Sequence, residues 1–307
     1  MPAARRLASV ALLLWGAATI VFFLIHLIPG DPAAAMLGEG AAPGDVAALR
    51  HDLGLDRPLP AQYAAWLSGL SRGELGLSLQ TRRPVLSEIR RAVPATATLA
   101  LAAFLAALAV AVPAGVVGAL RRGTGTDQTL RIVALAGVST PNYVSGPVFV
   151  LVFSIGLGLL PVSGRDAPGA IVLPAATLGL ALAALLSRMI RASFAEELGR
   201  PYMLAARARG EGSLRAALRH AARNALPPVL VVAGLQIGSL LTGAVVTETI
   251  FSWPGVGRLL VQSIQRRDYP TVQGCVLFIA SVYVVVNAAV DAAAARLDPR
   301  SAIRRRA

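Results

Sequence analysis

The sequence predicts an all-α membrane protein of about six transmembrane helices. Both termini are expected in the cytoplasm, with a partly structured extracytoplasmic insertion between helices 1 and 2. Three observations predict this. Of 307 residues, 55% are hydrophobic, and the mean hydropathy of +0.64 is too high for a soluble domain of this size. The apolar residues fall into runs long enough to cross a bilayer, for which about 20 residues suffice. The net charge of +13 rests on arginine alone, because the chain contains no lysine. Those arginines gather between the runs, which is the signature of cytoplasmic loops rather than of nucleic-acid binding.

The first run, Leu7 to Ile28, follows Arg5 and Arg6. At about 22 residues it exceeds the 7–15 of a cleaved signal segment and reads as a retained span entering from the cytoplasm. Pro29-Gly30-Asp31-Pro32 stops it, so residues 1–28 form the first unit of the chain. Residues 29–94 read as the extracytoplasmic insertion, with short helices expected over Asp45–Leu53 and Gln62–Leu70. Leu75, Leu77 and Leu79 alternate with Gly76 and Ser78, a weak strand pattern. Residues 95–294 read as the transmembrane core. Within it the second run covers Ala95–Leu120 and the third Arg131–Leu160, where Thr140-Pro141-Asn142-Tyr143 and Gly146-Pro147 kink or break the helix. The fourth run is Ala170–Met189, the fifth Val229–Val246 and the sixth Thr271 to about Ala294. Residues 295–307 form a basic tail carrying Arg300, Arg304, Arg305 and Arg306. With both ends inside, Arg121-Arg122, the loop 191–228 and the tail are cytoplasmic. Arg82, Arg83, Arg90 and Arg91 fall outside, in a long loop where the charge rule has less force.

The polar stretch Arg200–Pro228 is written in helix grammar. Pro201 suits the first helical turn, and Gly210 suits the left-handed residue beyond the end. About nine residues lie between, roughly 13 Å of helix. Ser213 is expected to cap a second helix running toward Pro227 and Pro228. On it Arg215, Arg219 and Arg223 share one face, with Leu214, Leu218, Ala221 and Ala225 on another. A short helix, a glycine joint and a basic helix form a docking element. The plainer reading is an ordinary basic inner loop.

Polar side chains at membrane depth mark functional candidates. Gln236, Ser239, Gly243 and Thr247 follow helical spacing on the fifth run and can line a hydrophilic path, with Glu248 near its outer mouth. Gly234 and Gly238 fit close helix packing instead. Asn287 and Asp291 stack one turn apart on the sixth run. His26, His51 and His220 show no metal-ligand spacing, and the lone Cys275 makes no intrachain disulfide. No carboxylate pair or nucleophile motif falls in a span, so the chain is not expected to be an enzyme. A P-loop needs a lysine, so any ATP that drives this protein must bind to another subunit.

Taken together, several motifs resemble one family closely. Tyr202, Ala205-Ala206-Arg207-Ala208-Arg209-Gly210, His220-Ala221, Arg223-Asn224-Ala225-Leu226 and Pro228 resemble the EAA loop of ABC-importer permeases. The version is that of the dipeptide/oligopeptide/nickel branch, B-type subunit. Phe251–Leu260, Arg267-Asp268-Tyr269-Pro270, Val272-Gln273-Gly274, Pro29–Pro32, Asn287, Asp291 and Asp298-Pro299-Arg300 match the same branch, so the resemblance covers essentially the whole chain. It implies an inner-membrane importer subunit of a bacterial or archaeal plasma membrane, moving peptides or a similar small solute. Implied partners are a second homologous permease, two ABC ATPases, an extracytoplasmic solute-binding protein and membrane lipid, with no nucleic acid. ATP and magnesium would sit on the ATPase subunits, and this chain would bind no cofactor. Residues 201–210 would be the coupling helix, with Tyr202, Ala205, Ala206, Arg207, Gly210, His220, Arg223 and Asn224 at the ATPase interface. Asn142, Gln236, Ser239, Thr247 and Glu248 are the candidates for the translocation pathway. Leu204 stands where the general motif has glutamate, and Pro201 and Pro227 are further departures. The rival readings are a stand-alone channel whose basic loop binds lipid phosphates, and an intramembrane enzyme.

Overall fold

The computed structural model describes residues 3–26, 31–38 and 40–297. Pro29-Gly30, Asp298-Pro299-Arg300 and the arginines of the tail lie outside the described residues, as do the side chains of Arg207 and Asp291.

Helix α1 is Ala3–His26. The insertion holds α2 (Pro32–Leu37), α3 (Pro43–Asp52) and α4 (Leu59–Ser71). Each of these three carries proline in its first turn, where the missing N–H has no helical partner to lose. Asp31 caps α2 through its side chain, which accepts from the Ala33 amide at 3.0 Å. The alternation of Leu75, Leu77 and Leu79 does not make a strand: it yields one isolated bridge, Leu77 to Pro84. Pro84 has no N–H to give, so the pairing cannot propagate.

Helix α5, Val85–Leu120, has 36 residues. At 1.5 Å per residue it is about 54 Å long, well beyond the roughly 30 Å of hydrocarbon. The third apolar run is broken rather than kinked. Helix α6 (Gly125–Ser139) and the pair formed by α7 (Asn142–Phe149) and the π-helical turns Val150–Gly156 meet at 108°. Pro141 explains the break: the residue before a proline is pushed out of the helical region, and Thr140 is extended at φ −91°, ψ 115°.

Helix α8 (Val172–Leu198) runs past the predicted end to the loop that follows. Then come α9 (Pro201–Ala208), the one-turn α10 (Ser213–Ala216) with π-helical turns Ala217–Ala221, and α11 (Ala222–Ile250). Helix α12 (Val256–Gln265), unforeseen in the sequence, precedes α13 (Tyr269–Leu297). Among the described residues, three helices are long and apolar enough to span a membrane, namely α5, α8 and Tyr269–Val290 of α13. They become five if the two bent pairs each count once, while the apolar part of α1 is shorter, Ala8–Phe23.

The chain forms two compact units. In Met1–Ala95 with Pro254–Val285, the core is Val85, Ile89, Ala92, Val256 and Cys275, packed by Leu75 and Phe278. Buried Gln273 donates to the Val21 carbonyl at 2.8 Å, and Trp66 Nε1 to that of Ala18 at 3.3 Å. These bonds tie α1 to α13 and α4. The other unit, Thr96–Trp253 with Val286–Ala307, is built around α8, which packs on α6 and α11. Gly179 lets α8 approach α5 closely: a Cβ there would stand 2.7 Å from the Ala103 carbonyl oxygen.

Candidate functional site

The loop between α8 and α11 is built by its punctuation. Pro201 opens α9 as expected, and two turns later the chain reverses through Gly210 at φ +82°. A Cβ at Gly210 would meet nothing within 4 Å. The glycine is therefore required by its left-handed backbone and not by a close contact. Ser213 does not act as a cap. It is the first helical residue, and Gly212 occupies the cap position without a side-chain bond. Met203 and Ala206 are fully buried beneath α9, while Tyr202, Leu204, Ala205, Ala208 and Arg209 stay exposed. Eight residues alone are too few for a stable helix in water, so this buried face holds α9 to its support.

The following segment departs from the simple two-faced helix. The π-helical turns at Ala217–Ala221 insert an extra residue per turn and shift the register. Ala216, Ala217, Ala221 and Ala225 pack inward, and Arg215, Arg219 and Arg223 face out, but Leu214 and Leu218 are exposed as well. Pro227 and Pro228 do not end the helix, because α11 runs through both.

Polar side chains brace the loop. Tyr202 Oη donates to Glu197 Oε2 at 2.5 Å and accepts from Asn224 Nδ2 at 3.3 Å. Burial, and then the Glu197 carboxylate, push the Tyr202 phenol above its ordinary pKa, so it stays protonated at neutral pH. Arg200 pairs with Glu196 at 2.7 Å. Beyond the glycine turn, His220 Nε2 and Glu211 Oε2 lie 3.0 Å apart. The structure thus brings Tyr202, Asn224 and Glu197 together, and His220 with Glu211. Arg223 and Ala205 face outward, separate from these pairs.

The pathway candidates divide into two sets. Asn142 opens α7, with Nδ2 3.4 Å from the place a Cβ on Gly243 would take. Gln236 is half-buried and Ser239 exposed, its Oγ donating to the Gln236 carbonyl at 2.8 Å. Thr247 is buried and donates to the Gly243 carbonyl at 3.3 Å. Glu248 is fully buried and accepts from Thr96 Oγ1 at 2.6 Å, so here it faces a helix neighbour rather than an open mouth.

Sequence reasoning missed Asp127, and it named Asp268 in a motif without its distant partners. Asp127, beside its own backbone contact from Gly123, takes two of the three Arg191 guanidinium nitrogens, Nε at 2.5 Å and Nη2 at 2.7 Å, joining α6 to α8. Asp268 accepts from Ser78 Oγ at 2.5 Å, the Leu79 amide at 3.1 Å and Thr271 Oγ1 at 2.9 Å. It clasps the turn 76–84 to the start of α13. Arg82 and Arg267, on either side of the clasp, are both left-handed, at φ 55° and 56°. His26 faces Gln62 at 3.1 Å and His51 faces Asp56 at 3.1 Å, and no metal-ligating cluster occurs among the described residues.

Comparison with known proteins agrees with this architecture. The chain is 42% identical to the di/tripeptide transport system permease protein DppB of Pseudomonas aeruginosa (strain UCBPP-PA14), over 97% of each chain. It is 40% identical to the dipeptide transport system permease protein DppB of Escherichia coli (strain K12), over 96% of this chain and 97% of the other. The glutathione transport system permease protein GsiC of Escherichia coli (strain K12) is 38% identical over 96% of each. Among solved structures, the MetNI methionine ABC transporter in inward-facing conformations shares the fold. Its TM-score is 0.57 at 18% identity, covering 68% of this chain and 96% of that one. Residues 3–100 match the N-terminal part, and residues 111–303 the main part, of one family: the chain belongs to the binding-protein-dependent transport system inner membrane components.

Proposed function

We propose that this chain is one permease subunit of an ATP-driven importer and carries peptides, or a similar small solute, handed over by an extracytoplasmic binding protein. The observation that carries the reading is α9. It is a short exposed helix, closed by a left-handed glycine and held between two long apolar helices, α8 and α11. Such an element can seat in a groove of a cytoplasmic ATPase and move as a body when that ATPase closes. Relatives along essentially the whole length bear the names of di/tripeptide, dipeptide and glutathione permeases, which supports a small peptide as cargo.

In this reading six spans place both termini and α9 in the cytoplasm. A second, similar permease completes the pathway, lipid surrounds the pair, and two ATPases hold the ATP and magnesium. This chain binds no cofactor and does no chemistry of its own. Asn142, Gln236 and Ser239 line the path, and Thr247 and Glu248 join it only if the helices rearrange.

Reconstitution tests the reading. Vesicles holding the permeases, ATPases and binding protein should accumulate dialanine only with ATP. Uptake by this chain without ATPases would point to a channel instead. Gly210→Asp puts charge and side-chain bulk at the joint and should cut uptake at least tenfold while the protein stays in the membrane. Unchanged uptake would remove the coupling role from this loop.

A further inference from the structure

The Tyr202 hydroxyl is held by groups of its own chain. The oxygen is already engaged twice, donating to Glu197 at the foot of α8 and accepting from Asn224 near the head of α11. One phenol therefore joins α9 to both helices that flank it. Among the described side chains of α9, the buried ones, Met203 and Ala206, are apolar. Apolar contacts hold a helix against its neighbours but do not fix its register, because they are non-directional. Hydrogen bonds do fix it, since they weaken steeply with angle. Six residues back along α8 from Glu197, Arg191 grips Asp127 of α6 through two bonds, so a displacement of α8 is handed on to a third helix.

We propose that Tyr202 is a positioning residue for coupling, a strap whose hydroxyl makes α8, α9 and α11 move together, rather than a contact to the ATPase. The proposal rests on the reading of α9 as the ATPase-facing element, and it reassigns what one residue of that element does. The ring remains available for packing; only the oxygen is spoken for.

The test uses the assembled transporter in vesicles with binding protein, Mg-ATP and radiolabelled dialanine. It reads three quantities: ATPase subunits retained on purification, ATP hydrolysed, and dialanine accumulated per ATP. Tyr202→Phe should retain the ATPases and lower dialanine per ATP about fivefold or more. Glu197→Ala removes the acceptor from the other side and should reproduce that ratio. The double variant should be no worse than Tyr202→Phe alone, because that substitution already removes the bond to Glu197. A merely structural defect would lower uptake and hydrolysis together and leave the ratio unchanged, which would overturn the strap. Loss of the ATPases from Tyr202→Phe alone would also overturn it, by showing the hydroxyl to be a partner contact. Wild-type vesicles that retain no ATPase would overturn the importer reading, and the strap with it.

Discussion

Asp268 and Tyr202 show how single polar atoms set local structure in this chain. Asp268 is 3% exposed and gathers two hydroxyls and an amide, with Ser78 and Thr271 also buried. Bonds to a charged acceptor contribute about 1.5–3 kcal/mol each, and a buried donor left unmade costs a comparable amount. Asp268→Ala should therefore loosen the 76–84 turn by about 2–4 kcal/mol. The check is faster hydrogen exchange at the Leu79 amide and new trypsin cleavage after Arg82, since Pro84 blocks cleavage after Arg83; Asp268→Asn, which keeps one acceptor, should show less of both. Tyr202 titrates in the opposite range. Its neutral form is favoured in the fold, so its contribution is fully present below about pH 10, the phenol's ordinary value, and is lost as pH rises through the raised folded value. Uptake per ATP should hold through neutral pH and fall only in the alkaline range, a fall that Tyr202→Phe should abolish. Asp56 behaves as its mirror image. Its hydrogen bond with His51 lowers the carboxyl below 3.8, so that bond is lost only as acid carries the pH below that value.

At the scale of elements, helix meets helix through small residues. Gly179 on α8 faces a backbone carbonyl of α5, which cannot rotate away as a side-chain tip can. Gly179→Ala should cost about 1–3 kcal/mol, as overpacked interiors do, and should lower the thermal unfolding midpoint in detergent. Gly210→Ala meets open space and should cost only the strain of a left-handed residue, about 1 kcal/mol. Much of the element structure was legible in the sequence because its signals are local. Apolar runs announce α5, α8, α11 and α13, and Pro201 and Gly210 delimit α9 within two residues. Helix α12 stayed hidden because ten amphipathic residues between Gly255 and Arg266 fall short of any span and lack a polar side-chain cap. The π-helical turns were equally invisible, since nothing in ALRHA breaks an ordinary helical period. The partners of the acids that matter most were missed for another reason. Asp268 and Ser78 are 190 residues apart and Asp127 and Arg191 are 64 apart, separations over which spacing carries no information.

The whole molecule is read by which side of the membrane each segment faces, and the chain is suited to that measurement. Its one cysteine, Cys275, is fully buried and should not react with a polar maleimide in the folded protein. Single added cysteines then report topology without a cysteine-free background. Arg209 on the turn after α9 and Arg72 at the end of α4 are both exposed. If the arginine bias of the loops sets orientation, Arg209→Cys should label only from the cytoplasmic side and Arg72→Cys only from the outside, in intact cells against inverted vesicles. The reverse pattern would place α9 beyond the reach of any cytoplasmic ATPase and would undo the coupling role. Labelling of both from the same side would require an odd number of crossings between residues 72 and 209 to become even, and so would count one of the broken helices, α6 with α7, as a re-entrant hairpin rather than a span. Between residues 72 and 209, the 108° bend at Thr140-Pro141 makes that segment the place where the count of crossings can change without altering any other helix.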